Sequence, residues 1–308
     1  MSLASQLSAA ACELADASRA DTFQPVRERL ASLGVDDRML GEILQRVSHG
    51  PGDQREVLQL RARVQGTDQG GPPASFERYA LLRTALAALE RVPALLVPDR
   101  VKELLLDEFL WLTRPREREL GWLVAGEYVF SALCKLATLR RFPAGQFHWE
   151  MAGLARSVLW RVPTRHLPRL LRGVLALGGF RPTFAPHLAW RRPQIVLSER
   201  EHSRSLLLMA QTLELQPRIR GFVAEAWFYS PDIIRVSPHL AWAPRLFEEW
   251  GGMVIVTGPA GKESGIFERG RTRERLARQG LLQPTMGLAL WPRSAMLRWA
   301  RLNSAEAG

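Results

Sequence analysis

Three short apolar runs in the last third of the chain set the strongest limit on its fold: GFVAEAWFY (residues 221–229), GMVIVTG (252–258) and PTMGLALWP (284–292). They are rich in β-branched and aromatic residues, which is the mark of strands. Between them lie segments with apolar residues at helical spacing, 244–250 and 268–280, and a last one, 293–302, follows. Strands alternating with helices in this way read as an α/β arrangement, a sheet with helices packed on its faces. The helix before the first strand has a well-specified start. Ser198 stands as N-cap with Glu201 three residues on, a capping box. Ser230-Pro231 and Ser237-Pro238 repeat the order of an N-cap followed by a first-turn proline. From residue 194 the predicted order is helix, strand, helix, strand, helix, strand, helix, an α/β domain over 194–308.

The first 118 residues read differently. Segments 26–34, 36–50, 76–92 and 97–112 have the periodicity of amphipathic helices and no strand signal, and residues 67–75 (TDQGGPPAS) form the clearest linker. The run from Leu120 to Leu139 is apolar but contains Glu127 and Lys135, so it predicts a buried helix rather than a membrane span. Helix is also expected up to Trp160 and over 161–179, and an irregular stretch over 181–194, where three prolines fall. The fold class is therefore mixed α+β: an all-helical domain over 1–118, a basic, tryptophan-rich helical segment over 119–193, and the α/β domain. Two cysteines, Cys12 and Cys134, are too few for a disulfide framework, and the first residues carry Glu13 and Asp16 without a basic stretch. A cytoplasmic protein is expected.

Charge follows the same division. The net charge is +11; residues 1–118 hold 16 basic and 17 acidic side chains, which leaves 26 basic and 14 acidic for 119–308. Residues 135–192 carry 11 basic side chains and a single acid, Glu150. Only three of the 42 basic residues are lysine, and nine of the ten tryptophans lie between Trp122 and Trp299. Codon bias is one account of arginine over lysine, but it does not explain the clustering. Arginines interleaved with aromatics suit an anionic partner such as a nucleotide cofactor, single-stranded nucleic acid or a membrane surface.

Two motifs fail on spacing. Gly258 and Gly261-Lys262 have two residues between them where a phosphate loop needs four, and Glu263 replaces its hydroxyl. Glu199-Arg-Glu-His202 has the Glu-x-x-His of a carboxylate-bridged metal site, but no second copy exists, so no metal is expected. The strand at 221–229 is more informative. Alternation puts Val223, Glu225, Trp227 and Tyr229 on one face, so Glu225 stands beside two aromatics with polar tips. A carboxylate held against Trp227 is desolvated and suited to take a proton from an amine. The equally simple reading is a salt-bridged glutamate on a half-buried face.

Residues 194–300 resemble the core of GNAT-type N-acyltransferases. The runs GFVAEAWFY, VSPHLAWAPRLFEEW, GMVIV and ERLARQGLLQPT follow that family's order of central strand, Val-x-Pro segment with cofactor helix, further strand, and helix leading to the closing strand. The resemblance implies coenzyme A thioester as cofactor and Glu225 and Tyr229 as catalytic residues. The family's glycine-rich phosphate loop has no counterpart in residues 238–245, so the arginines Arg245, Arg271, Arg275 and Arg278 are the candidates for the phosphates. Trp227, His187, Trp190, His239 and Trp242 are expected to shape the substrate pocket. The implied function is acyl transfer from a thioester to an amine on a small-molecule substrate. Two alternatives stand beside it. One is a non-catalytic protein whose segment 135–192 binds an anionic partner, nucleic acid or membrane. The other is an enzyme of another class using Glu150 or a histidine in an aromatic pocket; His148 and Glu150, two apart on a helix, would face different sides.

Overall fold

The computed structural model of the chain describes residues 2–47, 54–65, 75–189, 197–261, 264–267 and 271–304. The linker expected at 67–75 therefore falls, apart from Ser75, outside the described residues, as does Trp190. The chain divides into two compact units, Met1–Pro143 and Ala144–Gly308.

The first unit is helical, as its periodicity requires. Helices α1 (Leu3–Arg19), α2 (Gln24–Ser32), α3 (Asp37–Arg46) and α4 (Arg55–Gln65) each bury a stripe of residues. The next helix, α5 (Ser75–Ala88), is buried nearly all round, through Phe76, Ala80, Leu81, Leu82 and Ala85. A helix apolar on every side belongs in the middle of a bundle. Its one buried acid, Glu77, accepts through Oε1 from the Ala125 amide at 3.1 Å and pairs through the same oxygen with Arg61 at 3.2 Å. Helix α6 (Asp99–Trp111) follows. The apolar run from Leu120 then breaks in two: a 3-10 turn, Glu117–Leu123, and α7 (Tyr128–Ala137), bent by 82° at the break. Gly126 supplies the positive φ of 104° there. Among the described residues no single helix is long and apolar enough to cross a membrane.

Strand β1 (Arg141–Ala144) carries the chain into the second unit, and Gly145 turns it into β2 (Phe147–Gly153). Residues 147–153 are thus strand, not the expected helix. Phe147, His148 and Trp149 have the β propensity, and the Ala-Gly turn favours a hairpin over helix continuation. The chain continues through α8 (Val158–Arg161), α9 (Leu167–Ala176), β3 (Pro182–Leu188), α10 (Glu199–Leu215), β4 (Gly221–Ala226), α11 (Pro231–Val236), α12 (Trp242–Glu249), β5 (Met253–Pro259), α13 (Arg271–Arg278), β6 (Thr285–Pro292) and α14 (Arg293–Asn303). The capping box holds in part: the Ser198 hydroxyl accepts from the Glu201 amide at 3.4 Å. The proline-rich stretch expected to be irregular contains β3, because Pro182 and Pro186 sit in a strand whose ladders tolerate missing donors.

The sheet has six strands in the order β1-β2-β3-β4-β6-β5, with β3 and β4 parallel and β2–β3, β4–β6 and β5–β6 antiparallel. Fold class is accordingly mixed α+β, with a helical N-terminal region and one mixed sheet. One sheet face is covered by α8 and α9, whose Val158, Leu170 and Val174 pack with Ile255, Leu288 and Leu290. On the opposite face Phe222 stacks on Phe247 of α12 at 5.4 Å, and Trp291 meets Trp299 of α14 at 5.1 Å. Gly173 lets α9 approach the sheet. A Cβ there would stand 2.6 Å from both Leu290 Cδ1 and Met253 Sδ. Gly173→Ala is expected to cost about 1 kcal/mol by chemical denaturation, since an overpacking cost of roughly 1–3 kcal/mol exceeds the helix-propensity gain of about 1 kcal/mol.

Candidate active site

The parallel neighbours β3 and β4 share a single register pair, Phe184 with Phe222. Past it, residues 185–188 and 223–226 have no pair with each other, although β4 stays fully paired with β6 from Gly221 to Ala226. The two strands part toward their carboxyl ends. Pro186 contributes by removing a donor from β3 just where that ladder would continue. Carboxyl ends of parallel strands at a change in strand direction are where open mixed sheets take ligands, because backbone groups there are free to pair with something else.

Register and alternation fix which side chains flank this opening. Phe147, Trp149, Phe184, Phe222 and Ala224 share one face, and Trp149 packs on Phe184 at 4.2 Å. His148 and Glu150 of β2, Ala185 and His187 of β3, and Val223 and Glu225 of β4 share the other, which is also the face of α8 and α9. Glu225 is gripped there by two elements. Arg161 of α8 donates to both carboxylate oxygens at 3.0 Å each, and Thr257 Oγ1 of β5 donates to Oε1 at 2.6 Å. A register shift at Thr257 lets it reach across the intervening strand β6. The Glu225 side chain is 25% exposed and that of Arg161 50%, so the carboxylate is held but open to solvent. At such exposure the pair adds little to folding. Arg161→Ala is expected to change unfolding free energy by less than about 1 kcal/mol, read from denaturant midpoints.

On the β3 side His187 Nε2 lies 3.0 Å from Glu150 Oε1, a carboxylate 8% exposed. A buried carboxylate fixes the ring orientation of an imidazole, the arrangement a proton acceptor needs. Sequence reasoning passed over Glu150 as a partner because it read residues 147–160 as helix. In a strand, residues two apart share a face, so His148, Glu150 and His187 come together. Arg161 and Thr257 had no sequence signal at all, being recruited from other elements.

The remaining candidates lie elsewhere. Strand β4 ends at Ala226, so the alternation that would set Trp227 and Tyr229 beside Glu225 stops there; both sit in the 3-10 turn Trp227–Tyr229. Tyr229 is buried among Phe228, Phe247 and His202 on the far face, and burial pushes its phenol well above the ordinary range. The Trp227 ring is covered by the Arg273 guanidinium, 4.6 Å from its centroid, and Arg273 also bonds Ile266 O and Ser237 Oγ. Trp242 packs against His202 at 5.0 Å, and His239 is exposed in the turn Pro238–Leu240. Arg271, Arg275 and Arg278 share the exposed side of α13, with Arg278 paired to Glu274 at 2.5 Å, whereas Arg245 stands on α12 beside Glu249 at 3.6 Å. His202 itself is fully buried in the first turn of α10, ringed by Phe147, Phe228, Tyr229, Trp242 and Phe247. Neither ring nitrogen has a hydrogen-bond partner, and burial lowers its pKa to about 3. Among the described residues no group of His, Cys, Asp and Glu is placed to hold a metal.

The resemblance had made residues 221–229 the strand that leads into the cofactor helix. The helix that links the parallel strands is α10, between β3 and β4, and Val236-Ser237-Pro238 instead joins α11 to a 3-10 turn.

No family model and no curated protein matches the chain. Among solved structures it is similar to an acyltransferase in complex with decanoyl-CoA, at 14% identity over 87% of this chain and 99% of that one, with a TM-score of 0.46. It is also similar to an acyltransferase in complex with CoA and 10C-teicoplanin, at 12% identity over 85% and 98%, with a TM-score of 0.44.

Proposed function

We propose that the second unit transfers an acyl group from a coenzyme A thioester to an amine. The observation that carries this reading is the parted pair β3–β4 with Glu225 on the carboxyl half of β4. The free edge of β4 suits an extended, amide-bearing chain added as a further strand, as backbone groups left by a neighbour invite. The pantetheine arm of coenzyme A is such a chain, and the bound thioester supplies an activated acyl carbon and a thiolate leaving group. For its anionic end the first turn of α10, the helix that links β3 to β4, offers backbone amides.

Glu225 then takes the proton. As the amine nitrogen bonds to the acyl carbon and the carbon–sulfur bond breaks, the ammonium proton passes to a Glu225 oxygen and the thiolate is protonated from solvent. Thr257 orients the carboxylate, and Arg161, half exposed on a four-residue helix, holds it until an amine replaces that contact. A second reading has its own support: the His187–Glu150 pair on the opposite strand is equally built to accept a proton.

The test is thermal denaturation of the full chain with coenzyme A, acyl-coenzyme A esters of increasing length, ADP and tripolyphosphate. A stabilisation specific to acyl esters, with an optimum length, is expected. Equal stabilisation by every polyanion would leave only charge binding and overturn the reading.

A further inference from the structure

Helices α8 and α9 turn their inner side chains to the sheet, so their outer side is a continuous surface of the second unit. Val158 and Val162 point inward at either side of Trp160, which is 90% exposed; Trp149, Trp291 and Trp299, by contrast, are buried. On α9 the same geometry holds. Leu170, Gly173 and Val174 are buried, and helical spacing puts Leu171 and Leu175 on the opposite side, 50% and 78% exposed. Three large apolar side chains thus stand in water on one layer, where a globular surface normally carries polar ones.

The chain segment that carries them is cationic. From Met151 to Ser198 the sequence has eight arginines and no acidic residue. Arg161 and Arg169 are engaged by Glu225 and by Glu248, the latter at 2.5 Å. Arg156, Arg165 and Arg172 are exposed on the same outer layer. The local field is felt by His166, whose pKa is lowered by burial first and then by Arg165 and Arg169. Its Nε2 accepts from Arg165 Nε at 3.2 Å.

We propose that this face docks the second unit onto an anionic lipid bilayer. Arginine heads meet lipid phosphates while the Trp160 indole and the Leu171 and Leu175 side chains enter the boundary below them, which is how a monotopic surface divides the work between charge and apolar burial. Nucleic acid would reward the arginines but gives two exposed leucines nothing to pack against. Trp160 adjoins Arg161, so the docked face borders Glu225 and an amphiphilic substrate would reach the site from the membrane. The docking itself involves no thioester, and its test is independent of the acyl-transfer reading.

The experiment is flotation of the full chain with phosphatidylcholine vesicles, with and without phosphatidylglycerol, at low and at moderate salt. Binding to the anionic vesicles is expected, and Trp160→Ala with Leu175→Ser should weaken it by about tenfold or more at unchanged circular dichroism, since each apolar anchor contributes of that order. Arg165→Gln with Arg172→Gln should weaken it as well and flatten its salt dependence. A wild-type chain that stays with the unbound fraction at low salt would overturn the proposal. So would undiminished binding by the Trp160/Leu175 variant, or an oligonucleotide bound as tightly as the vesicles and unaffected by that variant.

Discussion

Glu225→Gln is expected to lower kcat/KM for acyl transfer by roughly 10²–10⁴-fold, the range that loss of a general base produces. The substitution keeps the shape of the side chain and one oxygen to accept from Thr257. Its ion pair with Arg161 is solvent-exposed enough that its loss is expected to move Tm by no more than about 4 °C. A folded protein without turnover is therefore the outcome that assigns the role. Two companion variants keep the experiment decisive. His187→Asn removes the imbalance between the two proton acceptors from the other side; if it carries the loss and Glu225→Gln does not, the base is the histidine held by Glu150. Thr257→Val leaves the Glu225 charge in place but removes its 2.6 Å donor, so it should cost less than Glu225→Gln, as expected of a positioning residue. Turnover unchanged in both Glu225→Gln and His187→Asn would end the acyl-transfer mechanism as drawn.

The helical first unit and the helix–strand alternation after residue 197 were legible because each element carries its own signal: apolar residues at helical spacing, short runs rich in β-branched and aromatic residues, a serine cap; the all-round burial of α5 was not, since its segment was read as amphipathic. What misled was a hairpin and a proline-bearing strand. Residues 147–153 have apolar and polar side chains in alternation, but His148 and Glu150 are themselves buried, and a short segment of this kind is helix or strand according to what pairs with it. Strand β3 contains two prolines that local rules treat as breakers. It persists because β2 pairs along its whole length, a long-range contact with no local trace. Glu225 was legible because β4, which carries it, has its own strand pattern. Arg161 and Thr257 come from 64 and 32 residues away, and no spacing rule connects them to Glu225.

His202→Leu is expected to remove most of a stability loss that the wild-type protein suffers in mild acid. In the folded chain the imidazole pKa is about 3, because burial among five aromatic rings penalises the charged form and neither nitrogen finds a partner. In the unfolded chain it takes the ordinary value near 6.5. Between those values the unfolded state binds a proton that the folded state refuses, so stability falls as pH falls through the window from about 6.5 to about 3 and is unaffected above it. At pH 4.5, two units below the unfolded value, this one group is expected to remove roughly 2–3 kcal/mol relative to pH 7. Other groups also titrate there, which is why the comparison is between the slopes of wild type and variant rather than between two pH values of one protein. Leucine fits the apolar ring and has no polar atom to strand, so at pH 7 the variant should be as stable as wild type or more so. The measurement is urea unfolding at pH 7, 6, 5 and 4.5 for both chains. Parallel curves would mean that His202 is protonated or hydrogen-bonded in the folded protein, and hence that something polar reaches the aromatic cluster.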